Sequence, residues 1–238
     1  MTFSTAPIFL DIDACNLAGV SWVIPDMKWS DHPGSGDNDG SSPDYVASLV
    51  NAIGSSPYTN PNDGKSYWNS TAIFIVWDDW GGWYDHVSPG TAPGLGVHPD
   101  CGNWGCGYTY GFRVPLLVVS PYTGVLNQNG TYSGYVSGDT RTVGETQKYV
   151  HDFGSILAYI EYNFLGASKI GAINAQNQYL FADGHAPDAA NGNIPLSDFF
   201  PLPAARTFTA IPIMSHQQSY FTNNPAGPAG PGDDGDGD

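Results

Sequence analysis

The stretch Thr71-Ala-Ile-Phe-Ile-Val-Trp-Asp-Asp-Trp-Gly-Gly-Trp-Tyr-Asp-His86 sets an apolar run directly before two adjacent carboxylates, two glycines and a histidine. Residues 72–77 are continuous, apolar and rich in β-branched and aromatic side chains, the composition of a strand buried on both faces. Such strands belong to parallel sheets, and in open α/β sheets ligands gather beyond the carboxyl ends of the strands. Asp78 and Asp79 fall at that place. Two neighbouring carboxylates at the edge of a core repel each other and lose hydration, a cost that a divalent cation or a set of donors offsets. Gly81 and Gly82 let the backbone turn sharply and approach a ligand closely. The plainer alternative is that the two aspartates cap the following turn. The full run ending in His86 favours a hard-metal site.

Outward from this stretch, residues 114–120 read as a second core strand, ending in Ser120-Pro-Tyr-Thr. Residues 20–24 read as a short strand ending at Pro25, followed by a loop that holds Trp29-Ser-Asp-His-Pro33. Ser42, Pro43 and Asp44 announce a helix, through a cap, a first-turn proline and a favourable charge at the dipole. Val46, Leu49, Val50 and Ile53 form its apolar stripe and Gly54 its end. The strand, helix, strand order predicts a right-handed βαβ unit. Residues 124–138 are Gly-, Asn- and Tyr-rich, as a hairpin would be. Val150, Phe153, Leu157, Ile160 and Phe164 recur at helical spacing, and Gly166 marks the end of the helix they predict. His151, beside that stripe, reads as a helix-start histidine packed or hydrogen-bonded in the core. Residues 88–110 form a loop too long for a simple connector. Residues 167–196 are polar and weakly periodic, with a short turn near Leu180, and residues 207–213 read as a last strand. Residues 223–238 hold Pro, Gly and Asp without core-forming side chains, which predicts a disordered tail and leaves 1–222 as one folded domain.

The chain has 238 residues, with 7 Lys and Arg against 23 Asp and Glu, for a formal charge of -16. A nucleic-acid backbone or an anionic membrane surface is therefore a poor partner. A phosphate-bearing substrate is not excluded, because a bound divalent cation reverses the local field. The three cysteines are Cys15, Cys101 and Cys106; the last two are close enough in sequence to close a small disulfide ring, leaving Cys15 over. No paired Cys-x-x-Cys spacing points to structural zinc. No apolar stretch approaches the ~20 residues needed to span a membrane, and the first residues lack the pattern of a signal peptide. Asn69-Ser-Thr71 and Asn129-Gly-Thr131 match the short and common glycosylation sequon.

Four blocks in order carry a resemblance. They are Val20-Ser-Trp-Val23 with Ser30-Asp-His-Pro33, then Trp77-Asp-Asp-Trp-Gly-Gly-Trp-Tyr-Asp-His-Val87, Gly111-Phe-Arg-Val-Pro-Leu-Leu-Val-Val-Ser-Pro-Tyr122 and His151-Asp-Phe-Gly-Ser-Ile-Leu-Ala-Tyr-Ile-Glu-Tyr-Asn-Phe164. Over roughly residues 20–164 the chain resembles the phosphoesterase family of bacterial phosphatidylcholine-type phospholipases C and acid phosphatases, within the alkaline phosphatase superfamily. The resemblance implies an α/β/α sandwich with a mainly parallel sheet, secretion or a periplasmic location, and hydrolysis of phosphoric esters with a divalent metal ion. The substrate would be a small phosphoester or a phospholipid headgroup. By the same resemblance Asp78 and Asp79 are metal ligands, His32 meets the metal or the phosphoryl oxygens, and His86 lies near the site. The family's Glu-Asn-Arg-Ser-type motif and its Ser or Thr nucleophile precede the region matching Val20 and are absent from this sequence. The expectation is thus the C-terminal portion of a catalytic domain, incomplete at its N-terminus, which alone binds a cation weakly and hydrolyses esters slowly or not at all. A non-catalytic partner subunit and a glycan-binding module with Trp- and Tyr-rich loops are the alternatives.

Overall fold

The computed structural model describes residues 6–25, 29–30, 41–87, 111–136, 151–165 and 196–223. In chain order its elements are α1 (Ala6–Asp13), α2 (Ser41–Ser55), α3 (Tyr67–Ser70), β1 (Ile73–Val76), β2 (Leu116–Val119), β3 (Val125–Leu126), β4 (Tyr132–Ser133), α4 (Phe153–Phe164), a 3-10 turn (Ser197–Phe199) and α5 (Gln218–Asn223). β1 pairs with β2, and β3 pairs with β4 as an antiparallel hairpin in which Val125 faces Ser133 and Leu126 faces Tyr132. The mixture of helices and small sheets is of the α/β class. The chain divides into two compact units, Met1–Ile73 with Ala205–Asp238, and Phe74–Ala204.

The first unit is built on α2, whose apolar face includes buried Tyr45, Val50 and Ile53. Tyr45 joins Phe9, Trp29 and Phe221 in an aromatic core, with the Trp29 and Tyr45 rings stacked at 5.7 Å and the Phe221 ring edge-on to Trp29 at 5.2 Å. Ile12, Ile53 and Tyr67 form a second cluster. Ser41 opens the helix one residue earlier than the expected cap, and Ser42 Oγ donates instead to the carbonyl of Ser30 at 3.2 Å. Gly54 does not end α2. A side chain there would collide with the Phe208 ring, 2.4 Å from the position of a Cβ, so the glycine lets the ring lie on the helix.

Two expected strands of this unit are absent among the described residues. Residues 20–24 join no ladder, and Val20, Trp22, Val23 and Ile24 are exposed, so the expected βαβ unit does not form there. Residues 207–213 form no strand among the described residues, and side chains of α2 and α3 bond the backbone at Ile211 and at the preceding Arg206. Asn51 donates from Nδ2 to the Ile211 carbonyl at 2.9 Å and accepts the Ile211 N–H at 2.7 Å, as a neighbouring strand would. Trp68 Nε1 donates to the Arg206 carbonyl at 2.8 Å, and its ring meets Phe208 edge-on.

In the second unit β2 ends in a buried corner. Val118, Val119, Ser120 and Thr123 are each at most 2% exposed, a dry environment in which every polar group needs a partner. Thr123 Oγ1 supplies it, accepting the Ser120 N–H at 3.0 Å and contacting the carbonyls of Ser120 and Tyr135. The end of β2 is also bridged to the hairpin arm, through an antiparallel contact of Val119 with Val136. β1 is only half-buried along its length, not covered on both faces as its composition suggests. α4 begins at a capping box in which Asp152 accepts the Ser155 N–H and Ser155 Oγ accepts the Asp152 N–H. Its buried face differs from the expected stripe: Gly154, Ser155, Ile156, Ala158 and Glu161 are buried, whereas Phe153 and Phe164 are exposed. Small residues let the helix axis approach closely, and Tyr159 contributes the large contacts, edge-on to Phe74 at 5.1 Å and stacked on Phe200 at 5.6 Å. His151 sits as expected before this helix, its Nε2 2.9 Å from Asp198 Oδ2 and its ring against Phe199. The turn near Leu180, the Cys101 and Cys106 pair, Val150, the loop 88–110 and the tail beyond Asn223 lie outside the described residues.

Candidate functional site

β1 delivers the chain into a bend at Asp78 and Asp79, both exposed to solvent. Asp79 Oδ1 accepts the Gly81 N–H at 2.6 Å, so this carboxylate caps the turn. The turn closes when Trp83 N donates to the Trp80 carbonyl at 3.2 Å. Gly81 and Gly82 both adopt left-handed backbone, at φ 63° and 74°, a region that costs an L side chain ~1 kcal/mol or more. A Cβ on Gly82 would meet nothing within 4 Å, so its requirement is conformational.

The far end of the loop is fixed by Asp85, whose side chain is 11% exposed. Its Oδ2 accepts from Arg113 Nε at 2.8 Å and from the Arg113 N–H at 3.2 Å; its Oδ1 accepts from Arg113 Nη2 at 2.9 Å and from the Val87 N–H at 3.1 Å. The Arg113 guanidinium, followed by the Val87 amide, holds this carboxyl well below the usual range. Trp80 and Tyr84 add edge-on contacts to Phe112, at 5.1 and 5.8 Å. His86 points into solvent, 85% exposed, with Nδ1 3.5 Å from Asp85 Oδ1. His32 lies outside the described residues. The structure thus puts Asp78, Asp79 and His86 on one loop.

Among the described residues no group of three or more His, Cys, Asp or Glu side chains converges as a complete metal site. Two exposed carboxylates without a thiolate offer hard oxygen donors, the ligand type that suits Mg²⁺, Ca²⁺ or Mn²⁺. They fit part of a coordination shell. Asp85 and Arg113, which no sequence motif singled out as a pair, are 28 residues apart; a fork of this kind is specified by the approach of two segments and leaves no local signature. No helix among the described residues is long and apolar enough to cross a membrane.

The sequence profile of the Phosphoesterase family matches residues 3–165. The chain is 29% identical over 229 residues to a non-hemolytic phospholipase C of Burkholderia pseudomallei, an alignment covering 91% of this chain and 29% of that protein. It is 32% identical over 124 residues to phospholipase C A of Mycobacterium tuberculosis, covering 48% of this chain and 22% of the relative. With non-specific phospholipase C6 of Arabidopsis thaliana it shares 32% identity over 127 residues, 51% of this chain and 20% of the plant protein. The chain spans less than a third of the length of these relatives. No solved structure matches it.

Proposed function

Because this chain belongs to the phosphoesterase family, we propose that it carries the carboxylate wall of an active site that hydrolyses phosphoric esters, of the phospholipase C or acid phosphatase type. The observation that supports this most is the placement of Asp78 and Asp79, exposed on a glycine-dependent turn at the end of β1. In an α/β sheet that is where ligands bind. The finer architecture we propose is an alkaline-phosphatase-like α/β/α sandwich with a mainly parallel sheet, to which residues 1–222 contribute the C-terminal part and 223–238 a disordered tail. A secreted or periplasmic location belongs to the same reading.

Asp78 and Asp79 would hold the divalent metal ion, with His32 beside it. The ion would supply charge neutralisation at the phosphoryl oxygens and acidify the attacking hydroxyl. His32 would donate to the phosphoryl oxygens or to the leaving group, and solvent-facing His86 would be free to meet a substrate phosphate or headgroup. The hydroxyl nucleophile would come from a segment outside this sequence, in keeping with the short span of the chain relative to its relatives.

Titration of the purified chain with Mn²⁺ tests the reading. The expected result is measurable binding that disappears in Asp78→Ala, with p-nitrophenyl phosphate turned over slowly or not at all. Binding that survives both Asp78→Ala and Asp79→Ala overturns the assignment of the site, and rapid turnover that depends on Asp78 overturns the external nucleophile. A second reading, a partner subunit without catalysis of its own, is favoured by the exposed apolar segment 20–24. It predicts poor solubility of the isolated chain.

A further inference from the structure

We propose that Asp85 and Arg113 are positioning residues for the Asp78 and Asp79 carboxylates, an inference that rests on the metal-site reading above. Arg113 stands three residues before β2, and β2 is the strand that pairs with β1. The loop that leaves β1 at Asp78 is therefore returned at Asp85 to the same two-stranded sheet, and both of its ends are held. Between the ends, Trp80 and Tyr84 rest on Phe112, the neighbour of Arg113. The left-handed pair Gly81 and Gly82 allows the reversal this path requires.

Asp85 is not itself suited to be a ligand. Both of its oxygens already accept two N–H groups each, from Arg113 Nε, Nη2 and N and from Val87 N. A carboxylate saturated in this way fixes geometry, while Asp78 and Asp79 of the same loop are exposed to solvent. The Asp85 carboxylate also bridges two stretches of main chain, because it accepts the backbone N–H groups of Arg113 and Val87 alongside the Arg113 side chain. Lysine cannot reproduce it: an ammonium supplies one point of attachment where the guanidinium supplies two.

Mn²⁺ affinity, read from the electron paramagnetic resonance signal of free Mn²⁺, is compared in the wild-type chain, Asp78→Ala, Asp85→Asn, Arg113→Ala and Arg113→Lys. Chymotrypsin cleavage at Trp83 and Tyr84 is followed without metal. Affinity in Asp85→Asn and Arg113→Ala is expected to fall about tenfold, the size seen when groups that orient metal ligands are removed. Cleavage of the loop should rise by a similar factor, and Arg113→Lys should recover part of both losses. Wild-type binding that is lost in Asp78→Ala but kept within about twofold in Asp85→Asn and Arg113→Ala overturns the positioning role and leaves the metal site standing. Absence of Mn²⁺ binding by the wild-type chain, or binding unaffected by Asp78→Ala, overturns the metal-site reading and the inference with it.

Discussion

The buried carboxylate of Asp44 accepts the backbone N–H groups of Met214, Ser215 and His216 at 3.0, 2.7 and 2.8 Å. Burial by itself would raise the pKa of this group; the three amides and the nearby His216 outweigh it and hold the pKa below its ordinary value. Stability from Asp44 is therefore present above the ordinary carboxylate range and is lost as pH falls through the lowered folded-state value. Asp44→Asn should lower the free energy of unfolding by ~2 kcal/mol at pH 7, the scale of hydrogen bonds to a charged group. The gap between the two proteins in urea denaturation should narrow as pH drops below about 4. A gap that widens on acidification would refute this account. The sequence shows Asp44 only as a first-turn acid suited to the helix dipole. Its three partners lie about 170 residues away, so nothing local reveals them.

Among the elements, α2 and α4 were legible for different reasons. α2 buries Val50 and Ile53 of its expected stripe while Val46 and Leu49 are half-buried, and Tyr45, outside the stripe, joins the aromatic core of the first unit. α4 was legible as a helix but not in its orientation, since Gly154 and Ala158 face inward and the larger Phe153 and Phe164 face out. Periodicity identifies a helix; the face it buries depends on how closely its neighbours come. The entry to α4 is set by its capping box, so Asp152→Ala should cost ~1 kcal/mol and raise amide exchange over its first turn. Unchanged exchange at Ser155 would show that the cap is not what holds the turn. The strands expected at residues 20–24 and 207–213 have the composition of strands but do not form as strands among the described residues. In the second case Asn51 bonds the backbone of Ile211. The hairpin of β3 and β4 was recoverable because Gly130, at φ 80°, occupies its turn.

At the scale of the whole molecule, the formal charge of -16 acts against any compact arrangement through self-repulsion. Screening relieves that repulsion over ~10 Å at 0.1 M salt. The thermal midpoint should therefore rise as NaCl is increased from low concentration, with a larger rise in a divalent salt if Asp78 and Asp79 hold a cation. A midpoint that falls with NaCl would mean that attractive pairs such as Asp85 with Arg113 dominate the balance. By itself the sequence determined the strand of the opening stretch, the glycine turn behind it, the carboxylates at its end and the family, because these depend on neighbouring residues and on ordered motifs. Only the tertiary structure decided that His86 faces solvent and that Asp85 is gripped by Arg113. Those outcomes depend on which distant segments approach one another, and a hydrogen bond between residues far apart in the chain has no period or spacing by which to announce itself.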